Sequence, residues 1–111
     1  MKVNLGLDIT YTGDLPGGSG LGSSSAFTVA LNHSLHAANG KKPNEYELAQ
    51  EAYDIERNKL EETIGIQDQI ATAFGGFNHV IINKDGTYKL EKVLLPESRL
   101  KSFIDRCLLV N

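Results

Sequence analysis

Hydrophobic and polar residues alternate along this chain with a period that changes several times, and each change marks an element. Val3, Leu5, Leu7, Ile9 and Tyr11 are interleaved with Asn4, Gly6, Asp8 and Thr10, the period-two pattern of a strand with one buried face. Thr12-Gly13-Asp14 ends it. Phe27, Leu31, Ser34, Leu35 and Ala38 then recur at three- and four-residue steps up to Asn39-Gly40, which predicts a first helix closed by a common helix-ending pair. Pro43 and Asn44 open a second helix, with Asn44 as N-cap and Glu47 in the capping-box position, running to about Leu60. Gly65 interrupts the pattern. A short helix from Gln67 to Phe74 stops at Gly75-Gly76, and Phe77 to Asn83 with Thr87 to Leu95 flank Lys84-Asp85-Gly86 as a hairpin closed by Pro96. Arg99 to Asp105 reads as a short helix, and Cys107-Leu108-Leu109-Val110 as the start of a buried strand. Because a buried strand rarely stops without a turn, the chain reads as a piece of a longer protein, with a short terminal strand as the alternative.

Composition narrows the function classes. A chain of 111 residues accommodates one small domain, and 41% hydrophobic with 23% charged residues is the balance of an ordinary folded protein rather than a disordered one. The net charge of -3 offers no basic stripe for a nucleic-acid backbone and leaves a small anionic ligand open. The single Cys107 cannot form an internal disulfide, no apolar run is long enough to span a bilayer, and no signal-peptide pattern follows Met1. A cytoplasmic location without a membrane partner is therefore expected. One cysteine and three scattered histidines, His33, His36 and His79, do not assemble a zinc site.

The stretch PGGSGLGSSSAF, residues 16 to 27, places glycines and serines directly before a helix N-terminus. Glycines let the backbone approach a ligand, and the first N–H groups of a helix have no partner inside it. Serine hydroxyls add donors for phosphate oxygens or ligands for a magnesium ion, so the arrangement can cradle phosphate. It is not a Walker loop, which needs Lys where Ser23 stands, nor GxGxxG, which needs a third glycine there. A flexible connector with a serine N-cap is the plainer alternative. Glu56 shares a helical stripe with Ala49, Ala52, Tyr53 and Leu60, and a carboxylate on such a face calls for a cationic partner or a metal. Asp68 lies at the start of the short third helix, where it can cap the helix or orient and deprotonate a substrate hydroxyl, with Gln67 and Gln69 free to bond sugar or phosphate.

Leu15-Pro16-Gly17-Gly18-Ser19-Gly20-Leu21-Gly22-Ser23-Ser24-Ser25-Ala26 resembles the second motif of the GHMP kinases, PxxxGLGSS[AS]A. Ile55-Glu56-Arg57, Gly65-Ile66-Gln67-Asp68-Gln69 and Ala73-Phe74-Gly75-Gly76-Phe77-Asn78 are most similar to the branch of that family acting on heptose 7-phosphate, which commonly has Lys where this chain has Ile66. The resemblance implies an α+β fold, part of the family's N-terminal domain with its left-handed βαβ unit and its two layers of sheet and helices like those of some ribosomal proteins. It also implies that the first motif and the C-terminal domain are missing from residues 1–111. Its implied chemistry is ATP-dependent phosphorylation of a sugar or sugar phosphate. Pro16, Gly17, Gly18, Ser19, Gly20, Leu21, Gly22, Ser23, Ser24 and Ser25 would hold the ATP phosphates, Ser24 and Glu56 would ligate Mg²⁺, and Asp68 would be the catalytic base or orienter. A non-catalytic anion- or RNA-binding module of the same fold is the alternative reading. A truncated sheet should expose its edges, so self-association as a homodimer or strand-exchanged oligomer is expected.

Overall fold

The computed structural model describes residues 6–14, 18, 20–61 and 63–108. Helix α1 (Ser23–Ala38) starts at the end of the Gly/Ser stretch and ends at Asn39, whose N–H reaches back to the carbonyls of Leu35 and His36, with Gly40 following at φ +69°. Helix α2 (Glu45–Asp54) has the full capping box: Asn44 Oδ1 accepts from the Glu47 N–H at 2.9 Å, and Glu47 Oε2 accepts from the Asn44 N–H at 2.8 Å. Two donors orphaned by the helix start are thereby satisfied reciprocally. Without a break α2 runs into a π-helical turn, Ile55–Lys59, closed by the Leu60 N–H on the Ile55 carbonyl at 3.0 Å. Helix α3 (Gln67–Phe74) comes next.

Two compact units divide at Gly75 and Gly76. In residues 1–75, α1, α2 and α3 pack on one another around Val29, Leu48, Ala49, Ala52, Ile66 and Ile70. Ala49, Ala52 and Ile70 are completely buried. The two alanines let the helices approach closely, and Ile70 fills the space between them, a burial worth about 1.5–3 kcal/mol. Tyr46 and Phe74 meet edge to face at 4.8 Å, joining the first turn of α2 to the last of α3.

In residues 76–111, strands β1 (Asn78–Ile82) and β2 (Tyr88–Lys92) form the expected antiparallel hairpin, with Ile82 opposite Tyr88. Asp85 Oδ1 accepts from the Thr87 N–H at 3.0 Å and from its hydroxyl at 2.6 Å, while Gly86 takes φ +86°. Helix α4 (Glu97–Ile104) begins after Pro96, and Phe103 stacks against Phe77 at 5.6 Å. Helices with a two-stranded antiparallel sheet make the chain α+β, as expected. Among the described residues β1 and β2 are the whole sheet, so these residues do not themselves form the βαβ unit.

Three expectations require correction. Residues 6–13 form no strand, because a strand is held by its ladder and no described segment pairs with them; Val3 and Leu5 lie outside the described residues. Their alternation acts differently: Leu7, Ile9 and Tyr11, with Phe27, Leu31 and Leu35 of α1, line a cavity of about 290 Å³, and Tyr11 meets Phe27 edge to face at 4.8 Å. Cys107 and Leu108 are exposed and not in a strand, while Leu109 and Val110 lie outside the described residues. Leu60 is 61% exposed rather than part of the Glu56 stripe. An i→i+5 turn holds about one residue more than an α turn, which rotates Leu60 away from the core.

The buried face of α1 differs from the one the apolar spacing marks. Ser25, Val29, Asn32 and His36 face α2 and α3, at helical spacing but mostly polar. Asn32 Nδ2 donates to Glu51 Oε2 at 2.6 Å, and His36 Nε2 lies 2.6 Å from the same oxygen. Burial pushes the Glu51 carboxyl up, but the bonds from His36 and Asn32, with the charges of His36 and Lys41, hold it below its ordinary value of 4.5. A lowered folded-state pKa stabilises the fold above the unfolded value and loses that stabilisation as pH falls through the folded value. The stability gap between the wild type and Glu51→Gln should therefore be fully open at pH 7 and close as pH drops below 4.5. It should amount to about 1 kcal/mol or less, since the carboxylate is partly exposed. Urea midpoints measured from pH 7 down to pH 3 check this, and a gap that does not change with pH would count against it.

Candidate active site

The Gly-rich stretch ends in Gly22, which serves as N-cap of α1 at φ +72°. This left-handed conformation is one that residues with a Cβ adopt at a cost. Glycine also contributes no side chain to the cap, and among the described residues no other side chain caps the helix. Ala26 N–H bonds back to the Gly22 carbonyl at 2.9 Å, so the backbone N–H groups of Ser23, Ser24 and Ser25 precede the first intrahelical donor. No acidic residue occupies the first turn of α1. Uncapped donors and the positive end of the helix dipole together suit an anion. The serine N-cap of the plainer alternative is not formed, since the N-cap is Gly22.

Glu56 is 2% exposed on the π turn. Ser24 Oγ donates to its Oε1 at 2.7 Å and Ser25 Oγ to its Oε2 at 3.0 Å. Gln69 Nε2 also donates to Oε2, and to Ser25 Oγ at 3.0 Å. Three neutral donors from α1 and α3 thus converge on one carboxylate. The cationic partner that burial calls for is not supplied by Arg57, which is exposed, and Glu56 takes part in no ion pair among the described residues. Single π turns inside α-helices are frequent at functional sites.

Asp68 is exposed in the first turn of α3, and among the described residues no side chain caps that helix. Its carboxylate instead lies against the loop: a Cβ built on Gly22 would come within 3.3 Å of Asp68 Oδ2. Gly22, Ser24, Glu56 and Asp68, which are scattered through the sequence, are therefore neighbours. Gln69 corrects its sequence reading. It is completely buried beneath Glu56 rather than free to meet a ligand. Ser25 is 6% exposed, so its hydroxyl serves Glu56 and only its backbone N–H belongs to the helix start. Gly20, Leu21 and Ser23 adjoin Gly22 and Ser24 in the chain, a Cβ at Gly18 or Gly20 would meet nothing within 4 Å, and Pro16, Gly17 and Ser19 lie outside the described residues. The buried polar positions of α1 escaped a search for apolar periodicity; Ser25, Asn32 and His36 repeat at helical spacing and would have been found by period alone.

The glycine-rich helix start thus lies beside a buried carboxylate, and the comparisons with known proteins give the family. The family described as GHMP kinases N terminal domain matches residues 1–76, and the chain belongs to it. It is 39% identical over 95 residues, 86% of its length, to the D-glycero-alpha-D-manno-heptose 7-phosphate kinase of Campylobacter jejuni subsp. jejuni serotype O:2. To the galactokinase of Levilactobacillus brevis it is 31% identical over 91 residues, 82% of its length. These alignments cover 26% and 24% of the two relatives, so the chain spans about a quarter of the length of the curated relatives it matches. No solved structure matches. Among the described residues no helix is long and apolar enough to cross a membrane.

Gly22→Ala isolates the closeness of loop and carboxylate. Gly22 and Gly40 have similar φ, +72° and +69°, but only a Cβ at Gly22 meets a neighbour. Both alanine variants should lose about 1–2 kcal/mol to the left-handed conformation, and Gly22→Ala should lose more by crowding Asp68. Adding Asp68→Ala should restore the excess. Equal losses at the two glycines in urea unfolding would show that the loop and Asp68 are not in contact.

Proposed function

We propose that this chain provides the ATP-phosphate and magnesium site of a kinase acting on a sugar or sugar phosphate, with substrates like the heptose 7-phosphate of its Campylobacter relative. The observation that carries the reading is the convergence at Ser24 of an uncapped helix start and a buried carboxylate that has no cationic partner among the described residues. The donor set suits Mg²⁺, a hard ion that takes one or two carboxylates together with phosphate oxygens rather than an all-protein cage. Among the described residues no cluster of three or more His, Cys, Asp or Glu forms such a cage.

In this reading Glu56 and the Ser24 hydroxyl hold the ion, and the loop from Gly18 to Ser24 with the α1 N–H groups holds the phosphates of ATP. Bound there, the ion neutralises charge that develops on the phosphoryl oxygens. Asp68, exposed beside Gly22, accepts the proton of the attacking hydroxyl or aligns it toward the phosphate. Transfer of this kind depends on positioning and charge stabilisation more than on covalent chemistry, and each named group supplies one of those needs. Nothing in the described residues favours the RNA-binding alternative, which the net charge of -3 also disfavours.

Amide NMR of the chain with Mg²⁺ and a non-hydrolysable ATP analogue tests the reading. Shifts should concentrate at residues 18–25 and weaken in Ser24→Ala and Glu56→Gln. A folded spectrum in which those amides do not respond sinks it. In a longer protein that contains this chain, Asp68→Asn should lower turnover about 10²–10⁴-fold with little change in nucleotide affinity.

A further inference from the structure

Glu56 is shaped by the side chains packed behind it. A carboxylate has about four acceptor positions, two on each oxygen. Oε2 uses both of its own, for Ser25 Oγ and Gln69 Nε2, whereas Oε1 accepts only from Ser24 among the described residues. The one acceptor position left therefore lies on Oε1, on the side of Ser24 and the helix start. The orientation of the Gln69 amide follows from the same count. Its Nε2 lies within hydrogen-bond reach of two oxygens, Glu56 Oε2 and Ser25 Oγ, and a flipped amide would set its oxygen against the carboxylate.

That orientation leaves Gln69 Oε1 buried without a hydrogen-bond partner among the described residues. An unsatisfied buried carbonyl is costly, a cost that an apolar side chain of similar volume would avoid. If the position needed only to fill space between α1, α2 and α3, an amide would be a poor occupant. Its NH₂ group is the part of the side chain the site uses.

We propose that Gln69 is a positioning residue: with Ser25 it occupies Oε2 of Glu56 and so presents Oε1 as the single ligating oxygen beside Ser24. The proposal rests on the magnesium reading above and adds to it which oxygen ligates and what orients it. Partners behind a ligating group typically change metal affinity 10–100-fold when removed. Gln69 acts through Glu56 and Ser25 rather than on a ligand directly, since it is completely buried.

Two measurements test this. In the first, Mn²⁺ binding with a non-hydrolysable ATP analogue is followed by electron paramagnetic resonance for the wild type, Gln69→Met and Glu56→Gln, with thermal melts of each. Gln69→Met should bind Mn²⁺ at least about tenfold more weakly while melting cooperatively near the wild-type temperature, a split that a packing role would not produce. Wild-type affinity in Gln69→Met with loss in Glu56→Gln would overturn the positioning role and leave the metal site standing. The same affinity in all three would overturn the magnesium reading and this proposal with it. The second measurement needs no metal and no Gln69 variant. The two Nε2 protons of Gln69 should be well separated and slow to exchange in ¹⁵N spectra, and should shift in Glu56→Gln and Ser25→Ala. Fast-exchanging protons insensitive to both substitutions would overturn the geometry on which the proposal stands.

Discussion

Burying the Glu56 carboxylate is the constraint on which the rest of the site depends. A charged group taken out of water must be met by partners or it destabilises the fold by several kcal/mol. Here they come from two other helices: Ser24 and Ser25 from the first turn of α1, and Gln69 from α3. The three helices are thus fixed to one another at the end where the Gly-rich loop arrives. Polar chemistry and packing are not separate layers in this unit. The hydrogen bonds that satisfy Glu56 also set the positions of the loop and of Asp68.

A second carboxylate repeats the device further along α1. Glu51 receives Asn32 and His36 much as Glu56 receives Ser24 and Ser25, so α1 is joined at two polar points, to α2 and to the π turn that continues it. The apolar core between them is small, with two alanines among its buried residues, and cannot by itself enforce one helix register. Polar contacts can, because a slip of one residue leaves a buried donor or acceptor unmatched.

Local grammar made most of the elements legible in the sequence. Asn44 with Glu47, Asn39-Gly40, Gly75-Gly76 and Lys84-Asp85-Gly86 signalled helix and hairpin limits through capping and turn chemistry that acts over a few residues, and the structure has its boundaries there. The first segment was misread for the opposite reason, since alternation at Leu7, Ile9 and Tyr11 specifies a face but not the ladder that makes a strand. Glu56 stood out because a carboxylate interrupted an apolar stripe. Gln69 and Ser25 did not, because a buried polar partner is recognisable only once the group it serves is beside it. The π turn was equally hidden: no sequence period marks an extra residue in a turn.

That turn has an evolutionary corollary. Point substitutions around Ile55–Lys59 leave the chain the same length and the wide turn within reach, whereas deleting a single residue there would return the helix to regular α geometry and swing the chain downstream of it by about 100°. The route to α3 would be re-aimed, and with it the side chains of Gln69 and Asp68. The width of the turn thus depends on the length of the segment rather than on the exposed side chains of Asn58 and Lys59, so a deletion there is the change the site tolerates least.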